Sequence, residues 1–168
     1  MTLGVHLCRD GRIVVPGGLR LTLQRGFRED WQAENGVPRS YGRLPFVSVP
    51  NEAGFAIPIL SGETVWIGLE APPHEAIAQL KVSFSESARG FHLQCPPDFA
   101  IASVDTGKGF RQFEAGDTLR ISVLSAKDND PYCILLRAFE AEQVLPPSWQ
   151  ETHGALDRSD GYSGERLP

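Results

Sequence analysis

The segment Glu63-Thr64-Val65-Trp66-Ile67-Gly68-Leu69-Glu70 follows a Ser61-Gly62 turn and carries apolar side chains at alternate positions. A period of two sends Val65, Ile67 and Leu69 to one face of an extended chain and Thr64, Trp66 and Glu70 to the other. An amphipathic helix cannot satisfy that spacing, so the segment reads as a strand of a half-buried antiparallel sheet. Leu19 to Arg25 repeats the pattern, with Leu19, Leu21 and Leu23 opposite Arg20, Thr22 and Gln24.

Shorter runs of the same kind recur at intervals near ten residues, punctuated by Gly and Pro. Asp10-Gly11, between Leu3–Cys8 and Arg12–Val15, is a hairpin turn signal. The runs Leu44–Val49 and Phe55–Leu60 flank a turn-rich pentamer and lead into the Trp66 strand, which predicts a meander of consecutive hairpins. Pro58 cannot donate a ladder hydrogen bond, so its strand belongs at an edge or a bulge. Further strands are expected at Ile77–Phe84, Phe91–Cys95, Phe99–Val104, Phe110–Glu114, Thr118–Leu124 and Tyr132–Phe139. The nearest approach to a helix, Phe139 to Leu145, is one or two turns long before Pro146-Pro147.

These features predict an all-β fold, an antiparallel β-sandwich of jelly-roll-like kind with little helix, over residues 1–149. Its inward residues are expected to be Leu21, Leu23, Val65, Ile67, Leu69, Leu80, Val82, Leu119, Ile121, Val123 and Leu135. Residues 150–168 turn polar and are read as a flexible C-terminal tail. At 168 residues the chain is long enough for a core burying about 70% of the surface its unfolded form exposes. A hydrophobic content of 41% with 22% charged residues excludes wholesale disorder.

The N-terminus lacks a basic segment followed by an apolar one, and no apolar run approaches the length that spans a bilayer, so cytoplasm is the expected compartment and no membrane partner is expected. Net charge of -5 argues against a nucleic-acid partner, because phosphate binding needs Lys and Arg in excess on one face. Cys8, Cys95 and Cys133 form no even disulfide framework and are read as reduced, buried thiols.

Chemical motifs are sparse. His6 and Cys8 are two apart and share a strand face, but His92 and Cys95 are three apart and do not, so no metal ligands are assigned. His74-Glu75 lacks the second histidine of a zinc-protease helix, since Ala78 occupies that place. Asp128-Asn129-Asp130 begins like a calcium loop, yet Tyr132 replaces an oxygen ligand and Cys133 replaces the turn glycine. Gly107-Lys108-Gly109 is a tight turn without the third glycine of a dinucleotide fingerprint. Gly161-Tyr162-Ser163-Gly164 falls one residue short of a nucleophile elbow. No catalytic residue and no cofactor are assigned.

The long aperiodic connection from Gly26 to Arg43 mixes arginine with aromatic residues, a composition enriched at recognition surfaces. Arg28, Trp31, Arg39 and Tyr41 within it, together with Trp66, are the candidate ligand-binding residues. Trp31 and Trp66 each have a packing reading too, in which a large loop covers a sheet face with its aromatics.

Four stretches, Asn51-Glu52-Ala53-Gly54-Phe55, Trp66-Ile67-Gly68, Pro96-Pro97-Asp98 and Arg111-Gln112-Phe113, occur in the order seen in a set of uncharacterised bacterial proteins. Those carry segments like N-E-x-G-F, W-I-G-F, P-P-x-x-W-L-D-G and R-Q-F, and the chain resembles them over roughly its middle third. It departs from the third motif, where Phe99-Ala100-Ile101 stands in place of W-L-D-G. The resemblance implies a bacterial β-rich protein and carries no activity.

The function expected from the sequence is a non-enzymatic binding or assembly module that recognises a protein or carbohydrate ligand through the Gly26 to Arg43 connection and one aromatic sheet face. The runner-up is a small enzyme with a carboxylate or His/Cys metal site inside the sandwich, and a third reading is a structural subunit of a larger assembly. An exposed sheet edge that pairs with another copy makes a homo-oligomer, a homodimer in the simplest case, an expected partner.

Overall fold

The structure is a computed structural model that describes residues 5–32, 36–49, 54–71, 77–85, 90–95, 97–124, 132–153 and 156. Fourteen strands are present among them. The first five are β1 (His6–Leu7), β2 (Ile13–Val14), β3 (Arg20–Phe27), β4 (Arg43–Leu44) and β5 (Val47–Ser48). Then come β6 (Phe55–Ile59), β7 (Glu63–Glu70), β8 (Ile77–Phe84), β9 (Phe91–Cys95) and β10 (Phe99–Ile101). The last four are β11 (Val104–Asp105), β12 (Phe110–Arg111), β13 (Thr118–Leu124) and β14 (Tyr132–Glu140). A single 3-10 turn, η1 (Arg28–Asp30), follows β3, and two short helices, α1 (Ala141–Val144) and α2 (Pro147–His153), follow β14.

The strands form two six-stranded sheets and a separate β11-β12 hairpin. Sheet 1 runs β1-β2-β3-β7-β10 with β4 also on β3, and sheet 2 runs β5-β6-β14-β13-β8-β9. Their apolar faces share one core, in which Leu21, Leu23, Val65, Ile67 and Leu69 of sheet 1 cluster with Leu80, Val82, Leu119, Ile121 and Val123 of sheet 2. The alternation of β3, β7, β8 and β13 thus produces the all-β sandwich that burial of one face per sheet demands. The Asp10-Gly11 hairpin also forms, pairing Leu7 with Ile13. Gly11 has φ of 79° there, and a Cβ on it would lie 2.3 Å from Pro45, so both the turn and the close approach require glycine.

Several expectations are corrected. Leu135 does not face the core; it is only half-buried, while Ile134, Leu136 and Ala138 are buried. The run Ile134-Leu135-Leu136 is apolar at both parities, and pairing of Ile134 with Ile121 and Leu136 with Leu119 fixes the phase. The sheets are not wholly antiparallel, because β6 runs parallel to β14. The meander breaks after β6, since the Ser61-Gly62 turn carries the chain from sheet 2 into sheet 1. β6 lies between β5 and β14 and Pro58 is buried, but β5 pairs only with Phe55 and Ala56, so among the described residues β14 is the one ladder neighbour at Pro58.

The helical stretch is longer than the sequence suggests. Pro147 takes the first helical position of α2, where a missing N–H costs nothing, so Pro146-Pro147 separates two helices instead of ending helix altogether. Residues 150–153, placed in the tail by composition, belong to α2, and its Trp149 packs against the core. Of the remaining tail residues only Leu156 lies within the described residues.

Candidate functional site

β7 is buried on both faces, with every residue from Glu63 to Leu69 shielded. On the face away from the core, Thr22 and Gln24 of β3 and Thr64 and Trp66 of β7 are no more than 3% exposed. The cover is the Gly26 to Arg43 connection. Its outward limb is fixed where Trp31 Nε1 donates to the Ala102 carbonyl at 3.1 Å, just beyond β10. Its return limb is fixed on β3: Ser40 Oγ donates to Gln24 Oε1 at 2.7 Å, the Tyr41 N–H donates to the Arg25 carbonyl at 2.9 Å, and the Arg25 N–H donates to the Gly42 carbonyl at 3.0 Å. The two anchors, near β10 and on β3, flank β7, which lies between these strands in the sheet; residues 33–35 are outside the described residues. Gly26 permits this approach, since a Cβ there would meet the Arg39 carbonyl at 3.1 Å.

The five residues singled out by sequence therefore separate into two layers. Trp66 and Tyr41 are buried, at 3% and 9% exposure, with Tyr41 edge-on to Phe27 at 4.9 Å. Arg28 and Arg39 are exposed, and Trp31 is half-buried. Arg28 reaches Glu114 at 3.2 Å, and the Arg39 guanidinium lies 5.4 Å from the Tyr41 ring centre. Beneath the connection, Gln24 Nε2 donates to Thr22 Oγ1 at 3.2 Å, whereas Thr64 Oγ1 and Trp66 Nε1 are buried without a hydrogen-bond partner.

Beside the first residues of the connection lies a cavity of about 510 Å³, lined by Phe27, Glu29, Leu60, Ser61, Gly62, Glu63, Glu142, Gln150 and Leu156. Three of these are carboxylates and none is basic. Local sequence explains each wall. The tight turn that opens β7 needs Gly62 at φ 76° and sets Ser61 and Glu63 at the rim. α1 brings Glu142 against that turn, where its carboxylate accepts the Ser61 N–H at 2.6 Å.

Glu63 is only 7% exposed and forms a bidentate ion pair with Arg25, including Arg25 Nε to Glu63 Oε2 at 2.9 Å. Arg25 also donates to the His153 carbonyl at the end of α2, so one guanidinium joins β3, β7 and the C-terminal helix. Burial pushes the Glu63 carboxyl above its ordinary range; Arg25 opposes the shift, and the charge of Glu142 adds to it. Glu70, at the other end of β7, is also raised, mainly by burial and then by Asp98, against the pull of Arg43, Arg20 and Arg12.

Sequence reasoning missed this cavity, because its carboxylates come from a turn, a helix and a connection far apart in the chain. The histidine and cysteine pairs fall in different sheets, His6 on β1 and His92 on β9, and no group of three metal-ligating side chains occurs among the described residues. The expectation of buried thiols holds for Cys95 alone: Cys8 is half-buried and Cys133 is exposed, the parity of β14 turning it outward. Thr106 to Gly109 forms the expected tight turn, closed by Thr106 N to Gly109 O at 3.0 Å. His74-Glu75, Asp128-Asn129-Asp130 and Gly161 to Gly164 lie outside the described residues.

Of the stretches quoted for the resemblance, Asn51 to Ala53 and Pro96 lie outside the described residues. Phe113 is buried, and Arg111 holds Asp117 through two bonds of 2.8 and 2.7 Å. Among the described residues no helix is long and apolar enough to cross a membrane. The chain matches no protein-family model, no curated protein and no solved structure.

Proposed function

We propose that the protein is a non-enzymatic binding module that recognises a basic side chain of a protein partner in the cavity beside the Gly26 to Arg43 connection. The observation that carries this reading is the lining itself. Phe27, Leu60 and Leu156 offer an apolar wall, and Glu29 and Glu142 offer carboxylates, while that of Glu63 is held by Arg25. A lysine or arginine has the matching division into an apolar stem and a cationic head. The volume lies within the range of about 300–1,000 Å³ common to ligand sites. Net charge of -5 favours approach of a cationic partner. A sugar is the weaker candidate, since Trp66, the flat platform it would need, is covered. The three free thiols suit a reducing compartment such as the cytoplasm.

Tetralysine is a direct probe. In amide-resolved NMR, saturable shifts should centre on Phe27, Glu29, Ser61 to Glu63 and Glu142, and Glu29→Gln with Glu142→Gln should abolish them. Shifts that never saturate, or that centre elsewhere, would refute the proposal.

A small carboxylate enzyme is the second reading, favoured by the raised Glu63 carboxyl. It requires Glu63 to retain a proton close to neutral pH. A carboxyl-resolved NMR titration that finds Glu63 fully ionised below about pH 6 removes it.

A further inference from the structure

We propose that the two C-terminal helices are a movable jaw of the cavity and that a bound basic side chain holds the jaw closed, which rests on the cavity being the binding site. The cavity lies between two parts of the fold. Phe27, Glu29 and the Leu60 to Glu63 turn belong to the sandwich side, whereas Glu142 comes from α1, Gln150 from α2 and Leu156 from just beyond it. The two carboxylates that would hold a cation, Glu29 and Glu142, therefore stand on opposite walls. One side chain that engages both bridges the sandwich and the helices.

The helical wall is lightly built in. α2 contains no buried residue, and α1 contains one, Ala141. Among the described residues the ties to the sandwich are specific: Glu142 accepts the Ser61 N–H at 2.6 Å, Arg25 donates to the His153 carbonyl, and half-buried Trp149 rests on the core. Elements with so few buried contacts open at a free energy well below that of global unfolding. An isolated helix shorter than about 12–15 residues is marginal in water, so α2, with seven, unwinds when it leaves the sandwich.

Arg25 sets where the jaw docks. Its guanidinium holds Glu63 on the sandwich side and the carbonyl of His153 at the end of α2, so the ion pair that occupies Glu63 also fixes the helix. Glu142 can serve both wall and ligand, because a carboxylate has about four lone-pair sites and the Ser61 N–H takes one. A cation held by Glu29 and Glu142 together binds the docked state alone. By linkage it shifts the helices toward docking, and any loosening of the helices weakens the cation.

Amide hydrogen exchange of the full chain with and without tetralysine tests the coupling. Exchange of the α2 amides should slow by about fivefold or more at saturation, with half the effect where half of the cavity shifts appear, and the β13 amides should not change. Trp149 packs on the core and is not among the residues that line the cavity. Trp149→Ala therefore loosens α2 without removing a ligand group and should weaken tetralysine binding about tenfold, and Trp149→Phe should restore it. Saturable shifts at Phe27 and Glu29 with unchanged α2 exchange, or Trp149→Ala binding as tightly as wild type, overturn the coupling and leave the cavity site standing. Absence of saturable shifts removes the cavity site and the jaw with it. The exchange measurement uses the unmodified protein, so it decides the question even should Trp149→Ala not fold.

Discussion

Arg25 and Glu63, 38 residues apart in sequence, meet as a buried bidentate ion pair at the place where β3, β7 and the C-terminal helix converge. Taking both charges out of water costs several kcal/mol, so the pair need not be stabilising against an apolar replacement, yet breaking it strands one charge. Glu63→Gln alone is expected to destabilise the protein by about 3–5 kcal/mol, and Arg25→Met with Glu63→Leu by clearly less. Urea unfolding of the single and double variants measures the difference. Equal losses would show that the charges are hydrated in the folded state.

Glu70 sets a pH dependence. Its folded carboxyl titrates above the ordinary value, so its contribution to stability is complete at pH below the unfolded carboxyl range and is lost as pH rises through the folded range. Between about pH 4 and about pH 7 the wild type should therefore lose stability relative to Glu70→Gln. Urea midpoints across that interval report it; parallel curves for the two proteins would contradict the burial of this carboxyl.

Two threonines on the covered face of sheet 1 should respond oppositely to the same change. Thr64 Oγ1 is buried without a partner, so Thr64→Val should be neutral or stabilising by up to about 1 kcal/mol. Thr22 Oγ1 accepts a hydrogen bond from Gln24, and Thr22→Val should cost about 1–2 kcal/mol by orphaning that amide. Thermal melts of both variants decide the matter.

Tyr41 and Trp31, grouped together by sequence, should separate in a stability assay. Tyr41 is buried against Phe27, and Tyr41→Ala should cost about 3–5 kcal/mol. Trp31 is half-buried and gives one hydrogen bond to the Ala102 carbonyl, so Trp31→Ala should cost less. The reverse order would mean that the connection does not sit on the sheet as described.

Thiol reactivity should follow exposure. The Cys95 thiol is pushed up to about 11, first by burial and then by Asp98 and Glu70, whereas Cys133 is exposed. Alkylation followed by peptide mass spectrometry should label Cys133 first and Cys95 only on unfolding. Early labelling of Cys95 would place the β9 end of the core in contact with solvent.

Much of the sandwich was legible because β3, β7, β8 and β13 alternate with a single clear phase. β14 was not, since Leu135 and its neighbours are apolar at both parities and only pairing with β13 selects one. The parallel contact of β6 with β14 leaves no local signal, because the two strands are joined by most of the fold. Thr22, Gln24 and Thr64 read as solvent-facing by residue type, yet they lie under a connection whose own sequence has no period to announce that it packs. The cavity was hidden for a related reason: Glu63 looks like the first residue of a strand, and nothing near it in sequence points to Glu142.

The central structural claim is that the Gly26 to Arg43 connection closes over Trp66 and leaves recognition to the cavity at its margin. Acrylamide quenching of Trp66 fluorescence in a Trp31→Phe, Trp149→Phe variant tests it most directly. The structure predicts strong shielding in the native protein that disappears in urea. Native quenching as efficient as in the unfolded chain would contradict the account.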